Sequence, residues 1–333
     1  MPETLDPASP GPDERHVPVL VDRVLALLAP VLDARAPDGP ASVVVDATLG
    51  LGGHAVAILS AFDRTHLVGI DRDADAIAAS AGRLAPYETR TTLVHAGYDD
   101  LSGVLDRLGL ERVDGVLFDL GVSSLQLDEV GRGFSYSRDA PLDMRMDQSG
   151  GRTAADVVNS YPADRLARVI ATYGEERFAR RIAERVVRER VAAPIETTNQ
   201  LARLVLAAVP AATRYGPGGH PAKRTFQALR IEVNGELDAL ARVLPAAIAA
   251  LAVGGRIVVL AYHSLEDRLV KRALAAGAST TVPDDLPFVP PGHEPQLRLL
   301  TRGAERPSAA EVERNSRAAS ARLRAAVRIR AAA

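Results

Sequence analysis

Residues able to do chemistry in this 333-residue chain gather where short apolar runs end. Residues 46–54 (DATLGLGGH) end one such run and bring Gly50, Gly52 and Gly53 together, so the backbone can approach a ligand closely. Asp71 closes the next run, 18 residues after Gly53, where a carboxylate is well placed to hold a ribose diol. Asp119 ends a later run, in residues 118–124 (FDLGVSS). An acid there could accept from an amino group or sit near a sulfonium cation. Ribose binding suits NAD and S-adenosylmethionine (SAM) alike. The glycines do not form Gly-x-Gly-x-x-Gly, because His54, Ala55 and Val56 follow Gly53, and this weakens the NAD reading. There is no Cys, and the seven His show no metal-ligand spacing, so thiolate chemistry is excluded and no metal site is expected. No Ser-His-Asp arrangement is visible, and no Gly-Lys-Ser/Thr follows the glycines.

The elements that must position these residues are legible from periodicity. Runs at 42–46, 66–71, 91–95 and 113–119 read as buried parallel strands separated by helix-compatible stretches such as 74–84. Between about 131 and 222 helical signals dominate. Residues 175–191 place Phe178, Ile182, Val186 and Val187 on one face, and Leu201, Leu204, Val205 and Ala208 form another stripe. Residues 215–221 (YGPGGHP) read as a loop. An amphipathic stretch at 236–251, strands at 256–262 and 296–301, and an alternating strand at 322–330, half-exposed with its Arg outward, resume the first pattern. The expected architecture is an α/β, Rossmann-like domain over 16–130 and 223–330, interrupted by a helical insertion at 131–222.

Composition is that of a globular protein: 47% hydrophobic, 25% charged, 4% aromatic, with a net charge of -2. Residues 1–15, rich in Pro and acids, read as a disordered lead rather than a signal peptide. No run is long enough for a membrane span, and the reading is a cytoplasmic protein.

The motifs resemble one family. Residues 46–54, 69–73 (GIDRD) and 118–124 look like the SAM-binding core of the RsmH (MraW) family of small-subunit ribosomal RNA (cytosine-N4)-methyltransferases. Residues 131–135 (GRGFS), 141–147 (PLDMRMD), 172–179 (TYGEERFA), 225–231 (TFQALRI) and 263–268 (HSLEDR) match as well, and the resemblance runs from about 16 to 329. It implies a class I SAM-dependent methyltransferase with an inserted substrate-recognition domain. Its partner would be small-subunit (16S) ribosomal RNA within the small subunit, and its target a decoding-region cytosine. By the same resemblance the cofactor contacts fall on Gly52, Gly53, His54, Asp71, Tyr98, Asp119 and Gln126, with Asp119 also catalytic. Tyr98 stands where relatives often have Phe; either ring offers a face to adenine. Monomer and homodimer both stay open.

Charge and chemistry bear on the substrate side. Residues 197–231 contain no acid but carry Arg203, Arg214, Lys223, Arg224 and Arg230, and residues 302–330 carry eight Arg against three Glu. Such zones suit phosphate contacts, although a solvated Arg-rich face gives the same pattern. With few aromatics, a single extruded base is expected rather than a stacking track. His263 could line the base pocket, but the run at 263–268 equally suits a helix start with Ser264 as N-cap and Asp267 three residues on. The rivals are a nicotinamide dehydrogenase, a non-catalytic RNA-binding assembly factor, and the same chemistry on DNA cytosine.

Overall fold

The computed structural model describes residues 18–33, 39–211, 214, 219–280, 282 and 293–331. The expected N-terminal lead and most of the 215–221 loop lie outside them. In chain order the elements are α1 (Val21–Leu32), β1 (Ser42–Asp46), α2 (Gly53–Ala61), β2 (Thr65–Asp71), α3 (Ala74–Leu84), β3 (Thr91–His95), α4 (Leu101–Arg107), β4 (Val113–Asp119) and α5 (Ser124–Asp128). Five helices follow: α6 (Ala154–Ser160), α7 (Ala163–Gly174), α8 (Ala179–Glu189), α9 (Thr198–Ala208) and α10 (Ala222–Asn234). The chain ends with α11 (Glu236–Ala250), β5 (Leu251–Ala261), α12 (Ser264–Gly277), β6 (Leu297–Leu299), α13 (Ala309–Arg314) and β7 (Arg322–Arg328).

The strands form one seven-stranded sheet in the order β3-β2-β1-β4-β5-β7-β6. β1 to β5 are mutually parallel, and β7 runs antiparallel between β5 and β6. β1 is flanked by β2 and β4, so the crossovers leave its C-terminal end in opposite directions. That opens a crevice beside Asp46 and Asp119.

Both faces of the sheet are covered, which is why its strands read as apolar runs rather than alternations. Val45, Val68, Val116, Ile257 and Val259 pack against α4, α11 and α12. Their neighbours Val44, Leu67, Leu117, Val258 and Leu260 pack against α1 and α2. A second body of α6 to α10 has its own core, including Leu142, Met144, Leu166, Ile182, Leu201, Phe226 and Leu229.

Several boundaries differ from the sequence reading. β5 starts at Leu251, with its pairing to β4 shifted between Val113 and Gly115. α8 starts at Ala179 rather than 175, because Glu175 adopts a left-handed conformation (φ 47°, ψ 37°) that ends α7. β7 is not half-exposed: Leu323 and Ala325 pack on one side and Ala326 on the other. Its arginines turn inward to partners. Arg324 meets Asp267 at 2.7 Å, Arg322 meets the same carboxylate at 3.1 Å, and Arg328 donates to the Ile248 and Ala249 carbonyls.

Candidate active site

The glycine-rich turn after β1 takes the shape its sequence requires. Gly50 (φ 51°) and Gly52 (φ 75°) are left-handed, and Gly52 is the N-cap of α2. A Cβ on Gly53 would lie 2.7 Å from Pro18 Cγ. Gly50 and Gly52 therefore let the chain turn tightly into α2, and Gly53 lets Pro18 pack against its first turn.

Asp71 braces this turn. Its Oδ2 accepts from Gly50 N at 2.8 Å and its Oδ1 from Asp73 N at 2.9 Å. Each oxygen keeps a lone pair for a ribose hydroxyl. Burial pushes the Asp71 carboxyl above the usual range, against the pull of those two N–H donors. Tyr98, after β3, stands edge-on to Phe118 at 6.0 Å and donates to the Glu236 carbonyl at 3.1 Å.

Asp119 sits at the tip of β4. Its N–H donates to Thr48 Oγ1 at 2.6 Å, tying the ends of β4 and β1 together. Oδ1 accepts from the Tyr262 hydroxyl at 2.6 Å, and Oδ2 lies 3.4 Å from His54 Nδ1. His54 Nε2 lies 3.0 Å from the Val19 carbonyl, which can only accept. Nε2 therefore carries a proton, and Nδ1 of the neutral ring is an acceptor. Between Nδ1 and Asp119 Oδ2 a hydrogen bond needs one further proton, held by either group. Burial raises the Asp119 carboxyl; the His54 charge and the Tyr262 hydroxyl pull the other way. The side chain still keeps 26% exposure, toward the crevice.

The sequence reading missed Asp46, Thr48 and Tyr262. Burial raises the Asp46 carboxyl to about 7, with His54 opposing the rise. Nothing but its strand-end position could have signalled it.

Gln126 is placed apart from the other candidates. Its Oε1 accepts from Ser123 N in a capping box, and its Nε2 donates to Asp73 Oδ2 at 2.9 Å. Arg132 reaches the same oxygen at 2.7 Å and also donates to the Met146 carbonyl at 2.8 Å. The buried Asp73–Gln126–Arg132 cluster thus locks residues 131–146 to the loop that carries Asp71.

His263 caps α12 itself, one residue earlier than expected, with Glu266 rather than Asp267 completing the box. Nδ1 accepts from Glu266 N, and Glu266 Oε2 accepts from the Tyr262 and His263 N–H groups. Burial favours the neutral Glu266, but His263, Arg230 and the Tyr262 N–H hold its carboxyl below the usual range. Arg230, counted above among the basic residues, is an interior cation paired with Glu236 through two 2.8 Å bonds.

Thr48, Arg72, Tyr98, Leu120, Gly121, Met146, Glu236 and Glu266 enclose a cavity of about 20 Å³. Tyr98 and Arg72, the residue after Asp71, are on its wall, where the sequence placed a nucleoside. The residue types fit such a group: Arg72 Nε is buried there without a hydrogen-bond partner. The volume holds little more than a water, so the lining would have to open to admit it. Among the described residues no group of His, Asp and Glu could hold a metal, and no helix is long and apolar enough to cross a membrane.

The model of the MraW methylase family matches residues 13–329. Ribosomal RNA small subunit methyltransferase H of a Nocardioides species is 62% identical over 310 residues, covering 93% of this chain and 95% of that one. The protein of the same description from Saccharopolyspora erythraea is 60% identical over 319 residues (96% and 95%). The one from Frankia alni is 63% identical over 314 residues (94% and 95%).

Proposed function

The chain belongs to the MraW methylase family, and on that premise we propose that it methylates N4 of a decoding-region cytosine in small-subunit ribosomal RNA. The relatives' description as small-subunit ribosomal RNA methyltransferases supports the substrate. The observation that carries the reaction is Asp119: a largely buried carboxylate at the crevice, held by Tyr262 at 2.6 Å and backed by His54 at 3.4 Å.

SAM would be held by Gly52, Gly53, Asp71 and Tyr98, and when bound it supplies an electrophilic methyl group. His54 and Gln126 serve that site from behind, His54 through Asp119 and Gln126 through the Asp73 loop. The N4 lone pair of cytosine is delocalised into its ring, so the amino group is a poor nucleophile. A hydrogen bond from that group to Asp119 enriches the lone pair and fixes its direction of attack. Asp119 then takes the proton that the amino group must lose. Tyr262 keeps the carboxylate oriented, and His54 shares the proton across Nδ1. The body of α6 to α10, within the insertion at 131–222 and the helix that follows, recognises the RNA. The substrate is an assembled or nearly assembled small subunit in the cytoplasm.

The test uses labelled SAM, this protein and small subunits from a strain lacking the modification, with the methylated nucleoside identified by mass spectrometry. N4-methylcytidine at one site is the expected result. Label on naked RNA or DNA alone overturns the substrate, and no label despite SAM binding overturns the reaction.

A further inference from the structure

Half of the twelve arginines in the two stretches that made the sequence look basic are engaged within the fold. Arg230 pairs with Glu236, Arg322 and Arg324 with Asp267, Arg317 with Asp128 and Arg330 with Glu294, while Arg328 is buried on carbonyls. Lys223 and Arg224 are different. Both are exposed on the first turn of α10, and both line an open cleft of about 220 Å³ together with Gly174, Glu175, Gln227, His263 and Ser264.

Cations on the first turn of a helix oppose its dipole unless an anion joins them. The cleft's single acid, Glu175, feels the Arg224 charge, but its hydrogen bonds go elsewhere. Glu175 is engaged by the Ser264 hydroxyl and by Arg268 at 3.1 Å. Arg224 donates to the Glu175 carbonyl at 3.0 Å, which aims its guanidinium along the cleft. The start of α10 is fixed by His220, which stacks on Tyr136 at 4.8 Å and accepts from Ala222 N at 3.1 Å. On the opposite wall, His263 Nε2 must carry the proton because Nδ1 accepts from Glu266 N. Its side chain is 9% exposed, and Nε2 has no hydrogen-bond partner, lying 3.2 Å from Glu266 Oε1 but out of line. His263, packed on Glu266, thus forms the wall of the cleft that faces the two cations. The neighbouring residue, Tyr262, holds Asp119.

We propose that this cleft binds the backbone phosphate adjoining the nucleotide presented to Asp119, with Lys223, Arg224 and the N-terminus of α10 as its anion site. The inference rests on an RNA substrate, but its test does not depend on methyl transfer. Binding of the full-length protein to unmodified small subunits is measured against salt for the wild type and for Lys223→Ala combined with Arg224→Ala. The slope of log affinity against log salt should become shallower by about two, roughly one per phosphate-binding cation removed. In methylation assays KM for subunits should rise with kcat little changed, SAM affinity should stay at the wild-type value, and Lys223→Arg alone should keep the wild-type slope. An unchanged slope and KM overturn the proposal. If the double variant unfolds, Lys223→Glu decides by the same slope. Orthophosphate protecting the wild type from thermal unfolding as strongly as subunits do would make this a free-anion site and overturn the RNA assignment. Subunit binding without methylation would leave this site standing while the reaction proposed above falls.

Discussion

At the C-terminal end of the sheet, Asp46, Asp71 and Asp119 are all raised, burial being the first cause in each. In the helical body and its contacts, Asp143, Asp156 and Glu175 are all lowered. Burial acts on Asp143 too, but Arg145 outweighs it; the Thr153 N–H holds Asp156 and the Ser264 hydroxyl holds Glu175. These two sets of acids are treated in opposite ways. Acids that serve the fold are matched by donors. Asp46, Asp71 and Asp119 are left short of compensation, which costs stability and leaves them able to change protonation state or accept from a ligand, whereas Glu266 on the cavity wall is matched by His263 and Arg230.

The comparison breaks most severely at Asp119. Asp119→Asn keeps the size and the contact with Tyr262 but removes the proton acceptor. Methylation should fall by about 10²- to 10⁴-fold in kcat with SAM binding nearly intact. Because the Asp119 carboxyl is raised, the wild-type rate should fall on acidification at a pH above the ordinary carboxylate range. A loss of less than tenfold would make Asp119 an ordinary strand-end acid.

Arg132 tests the converse, since here a cation does match an acid at the site. Asp73 is 2% exposed and would lose its 2.7 Å partner in Arg132→Ala, leaving a buried carboxylate held by Gln126. A destabilisation of about 3–5 kcal/mol is expected in denaturant unfolding. A cost under about 1 kcal/mol would show that the Asp73–Arg132 pair does not hold this loop in place.

How much of this was readable beforehand follows the same division. The strands β1, β3 and β4 and the helix α3 were legible to the residue, because a sheet covered on both faces writes itself as apolar runs. Asp71 and Asp119 were legible because they end those runs. The Asp73–Gln126–Arg132 cluster was not, since it joins residues 59 positions apart that each look like solvated polar groups. The inward turn of Arg322, Arg324 and Arg328 was missed for the same reason: their partners lie on α12 and at the end of α11.

Stability against pH separates the regions directly. The lowered acids, Asp143, Asp156 and Glu175, favour the folded state above their unfolded pKa and lose that contribution as pH falls through their lower folded values. Asp46 acts in the opposite sense. Its folded pKa of about 7 exceeds the usual carboxylate value, so the folded state holds the extra proton between roughly pH 4 and pH 7. Its contribution is fully present below that window and is lost as pH rises through it, by ~4 kcal/mol at most. Asp46→Asn should flatten this fall in unfolding free energy. A wild type whose stability does not decline between pH 4 and 7 would contradict the reading of Asp46.

The smallest effect is expected at Glu175, where the two regions meet. A non-glycine residue at φ 47° carries about 1 kcal/mol of backbone strain. Its pair with Arg268, with both side chains nearly half exposed, returns about 0–1 kcal/mol. Glu175→Gly relieves the strain and gives up the pair, so its unfolding free energy should stay within about 0.5 kcal/mol of the wild type. If the cleft beside it binds RNA, the same variant should lower KM for subunits, because the cleft loses its one carboxylate. An unchanged KM with unchanged stability would mean that the strained turn serves only to end α7, a task glycine does at least as well.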